Sequence, residues 1–385
     1  MKIAIIDADL IGRQRHRFPN LACEKISGFW KEQGAEVELK LDYENLDSYD
    51  QVYISKVFTD TPVNIDVKET EKIHFGGTGF YFDKAPNLPD EIEHHMPDYH
   101  LYDLWIEREV QRAELMSITA GKEFDKNKFL KKYKEFTECC IGFLTRGCFR
   151  KCKFCVNQKF DRVFTHSPLD EFYTEECKSI CLLDDNFLGC PRWKELLLEL
   201  RAKNKKFKFK QGLDERLLTE EKCKLLFSSK YDGDFIFAFD NIDDYDLIHE
   251  KLKMIRKYTK RSVKFYVLTG FESVDYKDIE NSFRRISLLL RYECLPYLMR
   301  YQNKNEAPWK KSPYSKLYIA MARWCNQPSI LKKMSFRYFC EANQELKKDK
   351  NTVCATLQAM QNFESEHPDI ASKYFDLKFG EHFNV

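Results

Sequence analysis

Residues 139–158 read CCIGFLTRGCFRKCKFCVNQ. Within this stretch IGFLT has the apolar, β-branched character of a short strand, and Gly147 marks where the chain leaves it. Cys148, Cys152 and Cys155 follow at C-x3-C-x2-C spacing. A [4Fe-4S] cluster is usually held by four thiolates, so three from one loop leave one iron open to another ligand. An open position of that kind separates catalytic from structural metal sites. Arg146, Arg150, Lys151 and Lys153 flank the sulfurs, and cations there favour thiolate over thiol and offset a negative cluster. The same spacing also fits one face of a helix, but Gly147 and the flanking cations argue against a buried helical face. The stronger rival is a structural zinc site, with Cys139, Cys140 or His166 as fourth ligand. The strand before the loop and the βα rhythm around it favour the cluster.

That rhythm runs over residues 138–302. Strand candidates are IGFLT, ICLLDD, FKFKQ, FIFAFD, VKFYVLTG and LPYLMRY, with helices expected from near Leu169, Trp193, Thr219, Asp243 and Asp275. Six strands with five intervening helices predict a central partial (β/α)6 barrel, two units short of a complete (β/α)8 barrel. Upstream, residues 1–110 alternate in the same way. KIAIID, VELKLDY, QVYISKVFT and KIHFGG read as strands, and NLACEKISGFWKEQGAE reads as a helix. The pattern predicts a Rossmann-like open parallel sheet. Residues 111–137 read as a charged helical connector. Its KNKFLKKYK segment (126–134) is best taken as a solvated helix face, with contact to a polyanion as the functional alternative. Residues 303–385 lose the strand signal and read as a helical C-terminal region punctuated by Pro308, Pro313, Pro328 and Pro368. The expected fold class is α/β.

A hydrophobic content of 43% is ample for a large core, and a net charge of +2 excludes a chain that is cationic as a whole. No apolar run reaches about 18 residues, so no membrane span is expected. The N-terminal MKIAIIDADL places acids inside its apolar run, unlike a signal peptide, and a cytoplasmic location is expected. The 14 cysteines are then read first as metal ligands or buried thiols. Cys23, Cys223, Cys294, Cys325, Cys340 and Cys354 have no ligand spacing and are assigned as buried thiols. Cys177 and Cys181 also make C-x3-C, but one falls in an expected helix and the other in a strand, so they are read as a chance pair.

The string TRGCFRKCKFC (145–155), with the aromatic Phe154 before its last cysteine, resembles the signature loop of the radical S-adenosylmethionine (SAM) superfamily. The resemblance implies that Cys148, Cys152 and Cys155 hold a [4Fe-4S] cluster whose free iron takes the amino and carboxylate groups of SAM. Reductive cleavage would then give methionine and a 5′-deoxyadenosyl radical, with electrons from a protein such as flavodoxin or ferredoxin. It extends along the barrel through LLDDNF (182–187), QGLDERLL (211–218), AFDN (238–241), YVLTGFES (266–273) and PYLMRY (296–301). It implies that Asp185, Asn186, Asp214, Asp240 and Asn241 contact SAM or substrate, and that Gly270 lets the backbone approach the adenine. Arg216 or Arg300 would meet a carboxylate or phosphate. Helix N-caps and ion pairs are the alternative roles for the same residues. Substrate and reaction type are open, and nucleic acid is among the open substrates: KNKKFKFKQ (203–211) alternates Lys with Phe, although a barrel strand has a polar face in any case.

An open α/β domain ahead of such a barrel resembles cobalamin-dependent relatives, in which D-x-H-x-x-G follows the first strand and its His binds cobalt. Here the motif is Asp7-Ala8-Asp9-Leu10-Ile11-Gly12. Gly76 and Gly77 stand at the corresponding later turn. Asp9 occupies the ligand position, and a carboxylate is a poor substitute for imidazole on cobalt. Cobalamin would be bound without a protein ligand, or the domain is a relic with a scaffold role; the second reading is preferred. His16, His94, His95 and His100 are read as surface or loop residues.

Overall fold

The computed structural model describes residues 1–14, 18–63, 66–303, 306–347 and 351–381. The chain forms two compact units, Met1–Lys210 and Gln211–Val385. Both are mixed α/β.

The first unit begins with four parallel strands, β1 (Lys2–Asp7), β2 (Glu36–Leu39), β3 (Gln51–Ser55) and β4 (Ile73–Gly76), in the order β2-β1-β3-β4. Ile5 faces Leu39 on one side and Tyr53 on the other. Ile3 and Ile5 pack with Cys23, Ile26, Tyr102 and Phe136, whereas Ala4 and Ile6 pack with Leu46, Tyr49, Val52 and Ile54. Burial on both faces explains why β1 is continuously apolar instead of alternating. Asn20 starts the helix Leu21–Glu32, its side chain accepting from the Ala22 and Cys23 amides, an N-cap of the kind expected for Asn.

A second parallel sheet follows in this unit: β5 (Cys139–Gly142), then a short antiparallel pair β6 (Thr145–Arg146) and β7 (Phe164–Thr165), then β8 (Ser179–Leu182) and β9 (Lys206–Phe209), with β8 central. β6 and β7 pinch the base of the loop that carries the three cysteines. Tyr99 staples β5 in place: its hydroxyl accepts from the Ile141 amide at 2.9 Å and donates to Phe172 O at 2.6 Å. The helix expected from Leu169 is a single 3₁₀ turn, Leu169–Glu171. Leu169, Phe172 and Tyr173 have helical spacing and are all buried, but one turn is enough to bury them. Phe172 packs on Gly142, where a Cβ would come within 2.3 Å of its ring.

The second unit holds a parallel sheet of β10 (Phe235–Ala238), β11 (Val263–Thr269) and β12 (Leu295–Arg300), with β11 central. Val263, Phe265 and Val267 alternate as fully buried residues against the half-buried Lys264, Tyr266 and Leu268. The helices expected at Trp193, Thr219, Asp243 and Asp275 form as Trp193–Ala202 in the first unit and Glu220–Phe227, Tyr245–Tyr258 and Tyr276–Arg291 in the second. Thr219 and Asp275 cap theirs through the Lys222, Lys277 and Asp278 amides. The six strands of residues 138–302 thus occur in the expected order, hydrogen-bonded as two parallel triplets, one in each unit. The C-terminal region is helical, with Ser315–Cys325, Phe336–Glu345, Ala355–Glu366 and Pro368–Tyr374. Arg337 ties three of its segments together through Glu364 and Asp376. Among the described residues no helix is long and apolar enough to cross a membrane.

Candidate functional site

Gly147 opens the cysteine loop with φ +85°, and a Cβ there would lie 2.3 Å from Arg162 O. Only glycine combines that backbone conformation with so close an approach. Cys148, Cys152 and Cys155 are half-buried and outside any disulfide. Hydrogen-bond donors point at two of the sulfurs. The Arg150 amide lies 3.3 Å from Cys148 Sγ, the Asn186 side-chain amide 3.4 Å from the same sulfur, and the Asn157 amide 3.3 Å from Cys155 Sγ. Gln158 Nε2 donates to the Cys152 and Cys155 carbonyls, and Lys151 Nζ to the carbonyls of Gln158 and Phe160. Phe154 is half-buried within this turn, in which the Cys155 amide donates to Cys152 O at 2.9 Å.

The end of β8 grips the loop. Asp184 is buried and accepts from the Leu144 amide, the Thr145 amide and the Thr145 hydroxyl. Burial pushes its carboxyl up to about 7, against those hydrogen bonds. Asp185 accepts from Gly147 N at 2.8 Å and from Asn157 Nδ2 at 2.7 Å. Burial raises its pKa as well, opposed by Arg146 and the Gly147 amide. Arg146 lies 3.9 Å from the centre of the Phe143 ring.

This donor set fits an iron–sulfur cluster: three thiols on one loop, with amide donors aimed at sulfur. It fits a single zinc ion less well, because each candidate fourth ligand is engaged elsewhere. Cys139 Sγ lies 2.9 Å from Ser179 Oγ, and burial pushes its thiol up to about 11. Cys140 is joined to Cys177, Cα to Cα 5.6 Å. His166 Nε2 is 3.0 Å from Glu93 Oε1. Among the described residues no three His, Cys, Asp or Glu side chains close on a single-ion site. The Cys140–Cys177 disulfide runs against the expectation that a reducing compartment keeps these thiols free. It also removes Cys177 from any pairing with Cys181, which is buried in β8.

In the second unit Asp214 caps a 3₁₀ turn and accepts from Arg216 N and Nε, the latter at 2.7 Å, while Arg216 Nη1 reaches Asp244 at 3.3 Å. Arg216 is therefore held between two carboxylates of its own chain. Asp240 accepts from the Leu268 amide, and burial raises it to about 6 against the pull of Arg285. Asn241 caps the turn Ile242–Asp244. Gly270 has φ +69°, and a Cβ there would meet Trp309 Cβ at 2.8 Å, so an indole covers it. Arg300 lies over the same indole, 4.3 Å from its centre. Asp214 and Asn241 thus have the capping and ion-pair contacts set out as the alternative to ligand binding.

Glu215, beside Asp214, was not singled out by the sequence. It is buried, accepts from the Ala238 amide at 3.1 Å, and is raised to about 8 by burial and then by Asp214. Its folded pKa lies above the ordinary value of 4.5, so the folded state binds more protons across that interval and stability falls as pH rises through it. Removing this ionisation by Glu215→Gln keeps an acceptor for Ala238. The variant is expected to lose less stability than the unaltered protein between pH 5 and pH 9, by up to roughly 4 kcal/mol. Urea unfolding at the two pH values measures the difference; parallel losses would remove Glu215 as the cause.

The N-terminal motif behaves differently from a cobalamin site. Asp9 is buried and accepts from the Val57 amide at 2.6 Å, from the Phe58 amide at 3.4 Å and from the Thr61 hydroxyl. Asp7 accepts from Tyr102 Oη and from the Asp9 and Leu10 amides, and burial pushes it up to about 7. The spaces beside Gly12 and Gly77 are filled by the chain itself, while that beside Gly76 is open. A Cβ on Gly12 would meet Thr61 Cγ2 at 2.6 Å, and one on Gly77 would meet Lys56 O at 2.2 Å. These residues do not fit cobalamin. His94 pairs with Glu171, His95 with Glu32 and His100 with Asp103, each at 2.8 Å. His16 lies outside the described residues.

Asp184, Asn157 and Gln158 are the loop-holding residues the sequence did not single out. Asp184 stands one place from Asp185, and Asn157 and Gln158 are the second and third residues after Cys155, but no local pattern says which polar side chain reaches the loop. No protein-family description matches the chain, and no curated protein does. Among solved structures it is similar to a radical SAM methyltransferase, TsrM from Kitasatospora setae, with cobalamin and a [4Fe-4S] cluster bound. The identity is 11% over 77% of this chain and 71% of that one, with a TM-score of 0.49. It is also similar to the cobalamin-dependent SAM radical enzyme OxsB with aqua-cobalamin and SAM bound, at 13% identity over 99% of this chain and 57% of that one, with a TM-score of 0.34.

Proposed function

We propose that the chain is a radical SAM enzyme that holds a [4Fe-4S] cluster on Cys148, Cys152 and Cys155 and modifies a substrate not yet identified. The observation that carries this reading is the cysteine loop itself: three thiols on one loop, with Arg150, Asn157 and Asn186 amides directed at two of the sulfurs. When bound, the cluster would supply the electron for reductive cleavage of SAM. The protein's part is to hold the loop, to neutralise its thiolates with amide donors and nearby cations, and to leave one coordination position open. A reductant protein would deliver the electron. Cobalamin has no role in this reading: Asp9 is engaged by the chain's own Val57 amide and Thr61 hydroxyl, and the N-terminal domain is read as a scaffold.

Of Arg216 and Arg300 in the second unit, Arg300 is proposed as the better candidate for a ligand anion. Arg216 already spans Asp214 and Asp244, whereas Arg300 makes its described contact with an aromatic face. The test is anaerobic incubation of the reconstituted protein with SAM and dithionite. 5′-Deoxyadenosine is the expected product. S-adenosylhomocysteine in its place would point to polar methyl transfer, and neither product after verified cluster assembly would overturn the proposal. Zinc without sulfide in the purified protein would instead identify a structural metal protein.

A further inference from the structure

We propose that Asp185 is a positioning residue for the cluster-bearing loop, acting through Asn157; the inference rests on the reading of that loop as a cluster site. One carboxylate bridges the two ends of the cysteine run. Its Oδ2 accepts from Gly147 N, immediately before Cys148, and its Oδ1 from Asn157 Nδ2, two residues after Cys155. Asn157 in turn directs its backbone amide at Cys155 Sγ, at 3.3 Å. The carboxylate therefore fixes the residue that supplies a hydrogen bond to one thiolate. It also fixes the residue from which the Cys148 turn starts, where the Arg150 amide reaches Cys148 Sγ.

A free carboxylate beside a negative cluster would be repelled by it. Asp185 instead has both oxygens engaged, and Arg146 and His166 act on it as favourable charges. Asp184 contrasts with it. Its bonds go to Leu144 and Thr145, on the strand side of the loop, and none of them leads to a sulfur. Asn186, the next residue, donates to Cys148 Sγ. The run Asp184-Asp185-Asn186 thus divides its work: the first residue holds the strand, the second the loop, and the third one sulfur.

Amide donors to thiolate sulfur stabilise the more negative, reduced form of a cluster and raise its potential. Loss of the Asp185–Asn157 contact should let the Asn157 amide drift from Cys155. Asp185→Ala and Asn157→Ala are each expected to retain roughly 10-fold less cluster iron after gel filtration, the range for outer partners of metal ligands. Asn157→Ala, which changes no charge, is also expected to shift the midpoint potential in the more negative direction. The double variant should be no worse than the more affected single one, because both changes break one path. Reconstituted protein would be assayed by iron and sulfide content and by redox titration followed by electron paramagnetic resonance. Asn157 is half-buried and carries the test if Asp185→Ala does not fold. Unaltered iron content and potential in Asn157→Ala, or strictly additive losses in the double variant, would overturn the inference. Failure of the unaltered chain to assemble any cluster would overturn the underlying reading instead.

Discussion

Cys152→Ala protein, reconstituted without oxygen, is expected to retain at least roughly tenfold less iron and sulfide than the unaltered chain, the lower bound being the loss seen for mere outer partners of metal ligands. Cys152 is the most informative of the three cysteines because its described hydrogen bonds are made by its backbone. Its carbonyl accepts from the Cys155 amide and from Gln158 Nε2, and both bonds survive loss of the side chain. The substitution therefore removes a thiolate while leaving the described hydrogen bonds of the turn. Two cysteines cannot hold a cluster that needs three protein ligands beside an open iron. Cys223→Ala is the matched control: Cys223 is buried in the helix Glu220–Phe227, with burial pushing its thiol up to about 11, and its loss should leave iron unchanged. Equal iron in the Cys152 and Cys223 variants would remove the loop as the cluster site.

Asp9→Ala should lower the unfolding free energy by roughly 1–3 kcal/mol, the cost of leaving one buried donor without its acceptor, because of the described donors to Asp9 the Thr61 hydroxyl is the buried one. The described donors are the Val57 and Phe58 amides and the Thr61 hydroxyl, all on the segment that follows β3. The same geometry predicts the outcome of placing a histidine at this position. Asp9→His would have to place an imidazole against the Val57 amide and the Thr61 hydroxyl that now bond the carboxylate. The variant should be less stable than the unaltered protein and should show no change in the absorbance of added cobalamin. A stable Asp9→His protein that binds cobalamin with a shifted spectrum would show that the domain keeps a usable pocket. Calorimetry of the unaltered chain and both variants gives the stability half of the test.

Much of the fold was legible because burial writes itself into short runs. KIAIID lies between two cores and is apolar at nearly every position, and β11 alternates as a sheet with one covered face. Thr219 and Asp275 were readable as helix starts because capping is local chemistry. The segment after Leu169 was misread because Leu169, Phe172 and Tyr173 carry the helical spacing that a single 3₁₀ turn also satisfies. At the candidate site the three cysteines stood out by spacing. What holds them did not, because Asp185 reaches Gly147 and Asn157 across 38 and 28 residues, and contacts of that range leave no periodic trace. The covering of Gly270 by Trp309 is of the same kind: a glycine was visible, but not the side chain that would fill its space. The Cys140–Cys177 pair joins positions 37 residues apart, where spacing alone cannot choose a partner.

The most direct test of the central claim is electron paramagnetic resonance of the dithionite-reduced, reconstituted protein with and without SAM. A cluster held by Cys148, Cys152 and Cys155 alone leaves an iron to which SAM can bind, so the reduced signal should change on addition of SAM. A reduced [4Fe-4S] signal identical in the presence and absence of saturating SAM would contradict it.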